Sequence, residues 1–204
     1  MGNRLSKIYT RTGDDGSTGM ADGSRLSKAD DLFSVMGDID ELNSHIGLVR
    51  AQLKHNKGQS IEKEFSEALV IIQHLLFNIG GELAMPEYEG VNATHIEWLE
   101  QQIDMMNATL PPLKDFILPT GSILVSQLHV ARSVCRRAER QAVILQQQRP
   151  QAIRSTAVTF INRLSDWLFV AARFCTDPEK VSEVLWDSQA LKTFTDSQEY
   201  KLSI

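Results

Sequence analysis

Seven apolar residues, Leu32, Val35, Ile39, Leu42, Ile46, Val49 and Leu53, recur at steps of three and four. That spacing gathers side chains on one face of an α-helix and scatters them over both faces of a strand. The pattern predicts a first helix over about 28–55, with Ser27 as N-cap and Asp30 and Asp31 in the first turn, where carboxylates complement the helix dipole. A second helix follows Ser60, carrying Ile61, Phe65, Leu69, Ile72, Leu76, Ile79 and Leu83 on one face, and stops at Pro86. Thr94 and Glu97 have capping-box spacing ahead of Trp98, Leu99, Ile103 and Met106, a shorter third helix that ends before Pro111. A fourth spans about 121–148. A fifth is expected to start at Pro150, a residue suited to the first helical turn, and buries Ile153, Ala157, Phe160, Ile161, Leu164, Leu168 and Ala172.

Long helices joined by short loops define an all-α, five-helix up-and-down bundle. At 204 residues the expectation is a single domain, given roughly 150 residues per domain. Within it, residues 1–27 form a glycine-rich arm, 28–176 the bundle and 177–204 a loosely docked tail. The linker from Leu110 to Gly121 holds three prolines and the apolar run Phe116, Ile117, Leu118. Such a run is expected to be covered by something.

Hydrophobic residues are 42% and charged residues 23% of the chain, close to globular averages. No apolar run nears the roughly 18–20 residues of a spanning helix. The polar start lacks an apolar signal region, so a secretory leader is not expected, and the Gly2 and Ser6 match to a myristoylation pattern is too loose to carry weight. A net charge of −5 argues against nucleic-acid binding by bulk positive potential, so an anionic ligand must be met locally. Cys135 and Cys175 are too few for a disulfide framework and read as buried free thiols of a cytoplasmic protein.

Local cation clusters do exist. Gly13, Gly16, Gly19 and Gly23 fall close together among Thr10, Thr12, Ser17 and Thr18, with Arg11, Arg25 and Lys28 nearby. Such a segment can aim backbone N–H groups, hydroxyls and cations at phosphate oxygens, although it is no Walker A loop; it reads equally as a flexible arm. On the fourth helix Arg132, Arg136 and Glu139 lie within about 60° of one another, and Arg137 falls elsewhere. That stripe is either a solvated face with local ion pairs or an anion site. On the fifth helix Asn162 and Asp166 share a face between aromatic residues, where semi-burial would demand partners such as Arg132 or Arg136. Asp38, Asp40, Glu41 and Asn43 make a polar patch on the first helix, which also reads as surface charge. A di-iron bundle is excluded, because none of the five histidines has a glutamate three residues before it. No nucleophile elbow or Cys-x-x-Cys occurs.

Taken together, Thr10-Arg-Thr-Gly-Asp-Asp-Gly16 through Lys28, Gly37-Asp-Ile-Asp-Glu-Leu-Asn-Ser-His-Ile-Gly47, Val134-Cys-Arg-Arg-Ala-Glu-Arg140 and Ile161-Asn-Arg-Leu-Ser-Asp-Trp-Leu-Phe-Val-Ala-Ala-Arg173 resemble the PduO-type ATP:cob(I)alamin adenosyltransferases. The resemblance spans about residues 8–174. It implies a homotrimer that binds ATP between subunits and transfers the 5′-deoxyadenosyl group to cob(I)alamin or a related corrinoid, giving adenosylcobalamin and triphosphate. It further implies that Thr10, Arg11, Thr12, Gly13, Thr18, Gly19 and Lys28 hold the triphosphate with Mg²⁺. Arg136, Arg137, Glu139, Arg140 and Asn162 would complete the nucleotide site. Asp40 would pair with Arg132 across the subunit boundary, Asp166 would orient an arginine, and Phe116 would close the lower face of the corrin pocket. Lys28, Arg136, Asp166 and Phe116 are then the expected catalytic set. Expected partners are a Co(II) reductase and an adenosylcobalamin-dependent acceptor enzyme, with no nucleic acid or membrane.

Two departures from the family pattern stand out. Asp38 adds a carboxylate where the family has threonine, and Thr120 replaces a glycine before Gly121, a change expected to shift the loop. The competing reading from another class is a non-catalytic nucleotide or corrinoid carrier on the same bundle.

Overall fold

The computed structural model describes residues 8–53, 61–176 and 183–190. Five helices, α1 (Asp31–Leu53), α2 (Ile61–Ala84), α3 (Ala93–Asn107), α4 (Ile123–Gln148) and α5 (Ser155–Phe174), carry the core. They are joined by a small antiparallel hairpin, β1 (Ser17–Gly19) with β2 (Arg25–Ser27). All seven residues of the first apolar series are buried, as are all seven of the α5 series. α4 packs against both α1 and α5, α2 lies against α1, and α3 lies against α5.

The pairing directions follow from cross-helix bonds. Gln146 meets Ser155 and Glu139 meets Asn162, so numbers fall on one helix as they rise on the other. α1 runs against α4 by the same test, with Asp30 on Arg149 and Asp38 on Arg137. Stacking of Phe65 on the fully buried Trp167, with ring centroids 5.3 Å apart, ties α2 to α5 through the common core. No helix among the described residues is long and apolar enough to cross a membrane.

Helix ends depart from expectation. The cap of α1 is Asp30, not Ser27: Asp30 Oδ1 accepts the Leu32 N–H at 2.9 Å, and Ser27 is taken up in the hairpin opposite Ser17. The cap of α3 is Asn92. Its Oδ1 accepts from the Thr94 N–H, its own N–H donates to His95 Nδ1, and the expected Thr94–Glu97 box does not form. Pro150 lies in a turn before α5, which begins at Ser155. α4 is capped by Ser122. Gly121, at φ 140°, takes the left-handed conformation there, and Thr120 is not among the described residues with positive φ, so the threonine imposes no backbone strain.

The expected tail begins at 177, and its first residues lie outside the described set. Residues 183–186, far from loosely docked, form an extended pairing with the proline-rich linker: the Leu118 N–H donates to the Val184 carbonyl at 2.8 Å and the Trp186 N–H to the Phe116 carbonyl at 2.7 Å. Ile117 faces Leu185 across this ribbon. The ribbon covers the linker's backbone but not its ring, because Phe116 remains 79% exposed.

Candidate functional site

Three groups of the expected residues occupy distinct places along α4. The arm enters at one end. Lys28 Nζ donates to the Gly13 carbonyl at 2.7 Å and the Lys28 N–H to the Gly16 carbonyl at 2.9 Å, closing residues 13–28 into a loop over the hairpin. Gly13 is required by this closure, since a Cβ there would stand 2.9 Å from the Ser17 carbonyl oxygen and 3.1 Å from Lys28 Nζ. Arg25 braces the loop from inside, donating through Nε to Ser17 Oγ and through Nη2 to the Thr12 carbonyl. Hydrogen bonds from the Ser17 hydroxyl and N–H hold the Asp15 carboxyl below the usual range.

Thr10 and Thr12 bring their hydroxyls within 2.8 Å of each other. Arg11 between them has φ 61°, the only positive value at a non-glycine residue among those described, and its guanidinium lies over the Tyr9 ring. A strained conformation for a branchless but bulky side chain marks a segment shaped for something other than local stability. Thr18 and Gly19 belong to β1. The arm therefore offers cations, hydroxyls and turned backbone on one exposed edge. Its hairpin was not legible in the glycine spacing.

The middle of α4 carries the arginine stripe. Arg136 and Arg140 are exposed; Arg140 donates to the Arg136 carbonyl at 3.0 Å, and the Arg136 guanidinium has no hydrogen bond or ion pair among the described residues. Arg132 is half-buried over the Phe169 ring, and its Nε is buried without a partner among the described residues. Burial first, then repulsion from Arg136, pulls its pKa down. Glu139 accepts from Asn162 Nδ2 at 2.6 Å, joining α4 to α5 beside the stripe.

Two expected residues are directed elsewhere. Arg137 points to α1, donating to Asp38 Oδ1 at 3.0 Å and to Glu41. Asp166, exposed and not semi-buried, accepts from Arg163 Nη1 at 3.2 Å, and Arg163 also reaches Glu100 on α3; neither Arg132 nor Arg136 is its partner. Asp40 is exposed and its carboxylate has no bond among the described residues, although its carbonyl accepts from Ser44.

The third group lies before the N-terminus of α4, where Phe116 projects from the ribbon. Behind it a small cleft is lined by Ile117, Gly121, Val125, His129, Arg173 and Glu183. Sequence reading includes Arg173 only as the last residue of the α5 block, with no role, and does not single out Glu183. Arg173 is a charge in the apolar face of α5, a signal that was there to be used. Burial, and then the Arg132 charge, keep the His129 pKa low, with Glu183 opposing.

Neither thiol is an activated nucleophile. Burial pushes Cys175 up to about 12 and Cys135 higher still, and Cys135 donates to the Ile161 carbonyl. The arrangement can gather anions and stack apolar surface; it holds no prepared covalent catalyst.

Comparison with known proteins gives a consistent picture. Residues 8–175 match the family model described as cobalamin adenosyltransferase. The chain is 45% identical over 189 residues to a cobalamin adenosyltransferase of Cupriavidus metallidurans, covering 93% of this chain and 98% of that protein. It is 41% identical to a corrinoid adenosyltransferase of Bacillus subtilis, covering 91% and 94%. Among solved structures, a single-residue variant of a PduO-type ATP:corrinoid adenosyltransferase from Lactobacillus reuteri, complexed with cobalamin and ATP, superposes with a TM-score of 0.78 at 38% identity, covering 89% of this chain and 100% of the other.

Proposed function

Because the chain belongs to the cobalamin adenosyltransferase family, we propose that it transfers the 5′-deoxyadenosyl group of ATP to cob(I)alamin or a related Co(I) corrinoid. The Co(I) electron pair attacks the 5′ carbon, the C5′–O bond breaks, and triphosphate leaves with the bonding pair. This reaction asks for no protein nucleophile and no general base. It asks for positioning of two substrates and stabilisation of a leaving polyanion.

The observation that carries this reading is the run of incompletely partnered cations on α4. Arg136 extends into solvent unpaired among the described residues, and Arg132 keeps a buried Nε–H without an acceptor. A buried donor without a partner costs about 1–3 kcal/mol, so the Arg132 Nε–H calls for an acceptor from outside the protomer, while the solvated Arg136 guanidinium is free to take an anionic ligand. We assign Arg136, Arg140, Glu139 and Asn162 to the nucleotide, with Thr10, Arg11, Thr12, Gly13, Thr18, Gly19 and Lys28 around the triphosphate. Arg137 joins from behind, as the brace that fixes α4 to α1 through Asp38 and Glu41. Asp166 orients Arg163 at the edge of the site.

The site is assembled between subunits of a homotrimer. The arm meets α4 near Arg149 through Asp30, whereas Phe116 precedes its opposite end. A helix of 26 residues rises about 39 Å, which favours a nucleotide arm from one protomer serving the stripe and corrin face of its neighbour. The uncommitted Asp40 carboxylate is the acceptor we assign to Arg132 of the adjacent copy.

Mg²⁺ enters this reading as the counter-ion of the triphosphate. No group of three His, Cys, Asp or Glu that could hold a metal exists among the described residues, which suits an ion carried on phosphate oxygens and water, with the Thr10 and Thr12 hydroxyls at hand. Phe116 packs against the lower face of the corrin and excludes water and the corrinoid's own base. A Co(II) reductase must supply the Co(I) substrate, and an adenosylcobalamin-dependent enzyme takes the product. Free thiols at Cys135 and Cys175 suit a reducing cytoplasm.

The test is formation of adenosylcobalamin from ATP and chemically reduced cobalamin, followed by visible absorbance. Turnover is expected. Stoichiometric binding without turnover would favour a carrier.

A further inference from the structure

Arg173 is 5% exposed, the most buried arginine described, and it joins two segments far apart in the chain. From the last turn of α5 its Nε donates to Glu183 Oε1 at 2.8 Å, while Nη2 donates to the Pro111 carbonyl at 2.8 Å. Pro111 opens the proline-rich linker that carries Phe116. Glu183 opens the extended segment that pairs with that linker at residues 116–118. One buried guanidinium thus holds the roots of both strands of the ribbon.

The ribbon has two faces. Residues directly opposite in an antiparallel pair project to the same side. With Ile117 opposite Leu185, Phe116 shares a side with Trp186, and Leu118 shares it with Val184. Ile117 on the other side lines the cleft with Arg173 and Glu183. The face bearing Phe116 holds four apolar side chains, with exposures of 79% for Phe116, 41% for Leu118, 43% for Val184 and 48% for Trp186. Two paired strands cannot hold such a face in place alone, since an isolated two-stranded ribbon is marginal in water. Its anchorage here is the guanidinium beneath it.

We infer that Arg173 is a positioning residue for the corrin substrate, clamping the linker and the 183–186 segment together through Pro111 and Glu183 so that Phe116 is presented on a fixed apolar face. This rests on the adenosyltransferase reading for the identity of the substrate. It adds a residue that acts on the corrin through the ribbon and does not touch it. Arg173 suits the task because its fork serves two acceptors in one plane, which a lysine cannot do, and because the last turn of a helix favours a cation.

The experiment uses the full chain. Glu183→Ala removes the charged partner of Arg173 and leaves the Pro111 carbonyl as its acceptor, and circular dichroism establishes that the variant is folded before binding is read. Glu183→Gln keeps an acceptor for the Arg173 Nε–H, and Arg173→Lys keeps charge without the second bond. The dissociation constant for cob(II)alamin, read by tryptophan quenching, should rise at least fivefold in Glu183→Ala and recover in part in Glu183→Gln, with Arg173→Lys intermediate. KM for ATP should stay within twofold throughout. Turnover from cob(II)alamin with a mild reductant should fall more than turnover from cob(I)alamin supplied ready-made. A folded Glu183→Ala with wild-type corrin affinity and equal losses in both assays overturns the clamp. Wild type that binds cobalamin without turnover overturns the enzymatic reading instead, and the affinity ratio between wild type and Glu183→Ala still decides the clamp. Wild type that binds no cobalamin overturns both.

Discussion

Arg132 and Arg173 are both withdrawn from water in the same bundle, and they are treated in opposite ways. Arg173 has a carboxylate and a carbonyl within 2.8 Å. Arg132 has an aromatic face, a repelling neighbour in Arg136 and a buried Nε–H with no acceptor among the described residues. A satisfied buried charge supports structure, while an unsatisfied one is a cost that a folded protein keeps only when something later meets it. The contrast separates two functions along α4. The ribbon end is completed within the protomer and presents apolar surface. The stripe is left incomplete among the described residues, and the proposed neighbouring subunit and nucleotide would complete it.

The sharpest way to break this contrast is to reverse the acceptor proposed for Arg132. Asp40→Arg should abolish the trimer or its activity, because a semi-buried guanidinium would face another cation; loss of such a pair typically costs about 3–5 kcal/mol. Sedimentation and turnover read the outcome together, and Asp40→Arg combined with Arg132→Asp should recover part of both. A wild-type monomer with full activity contradicts the shared site.

Next come the cations proposed to contact the leaving group. Lys28→Ala and Arg136→Ala should each lower kcat/KM at least tenfold, about 1.4 kcal/mol of lost transition-state stabilisation. Lys28 also closes the arm on Gly13, so its variant should raise KM for ATP as well, whereas Arg136, whose guanidinium has no partner among the described residues, should act with little change in stability. Normal steady-state kinetics in both variants would remove the nucleotide assignment.

At the ribbon end, Phe116→Ala discriminates between a ring that acts and a ring that fills. Truncating a buried phenylalanine costs about 3–5 kcal/mol. With the ring 79% exposed, the midpoint of thermal unfolding should barely move. Turnover from cob(II)alamin with a mild reductant should nevertheless fall about tenfold or more, with a smaller loss when cob(I)alamin is supplied. Equal losses in the two assays reject exclusion of the lower ligand.

These regions also differ in how far they could be read from sequence. Periodicity places the helical core, down to Leu32 and Leu53 at the two ends of α1, because burial repeats with the helix. The arm, the stripe and Phe116 are legible as residue types in a pattern. What escaped was contact between distant segments. Arg173 joins Pro111 to Glu183, and no local rule encodes that meeting. Caps escaped for a different reason: Ser27 and Asp30, or Thr94 and Asn92, are all good capping residues, and the winner depends on where the neighbouring chain goes. Ser27 is lost to the hairpin; Asp30 gains an ion pair from Arg149.

That ion pair supplies a third arginine for the comparison, partnered but reached by solvent. Hydrogen bonding from Arg149, with a further bond from the Leu32 N–H, lowers the Asp30 pKa below the ordinary carboxylate value. A depressed carboxylate contributes stability that is present above its unfolded pKa and lost as pH falls through the folded one. Asp30→Asn isolates the charge, since asparagine caps a helix as well as aspartate does. The arginine is 40% exposed at its side chain, so screening should keep the effect at pH 7 under about 1 kcal/mol. Urea unfolding should show wild type more stable than Asp30→Asn by that small margin at neutral pH, with the difference shrinking below about pH 4 as the wild-type carboxylate takes up its proton. A gap that persists unchanged into acid would mean that the Asp30 charge is not its source and that the ion pair with Arg149 adds nothing.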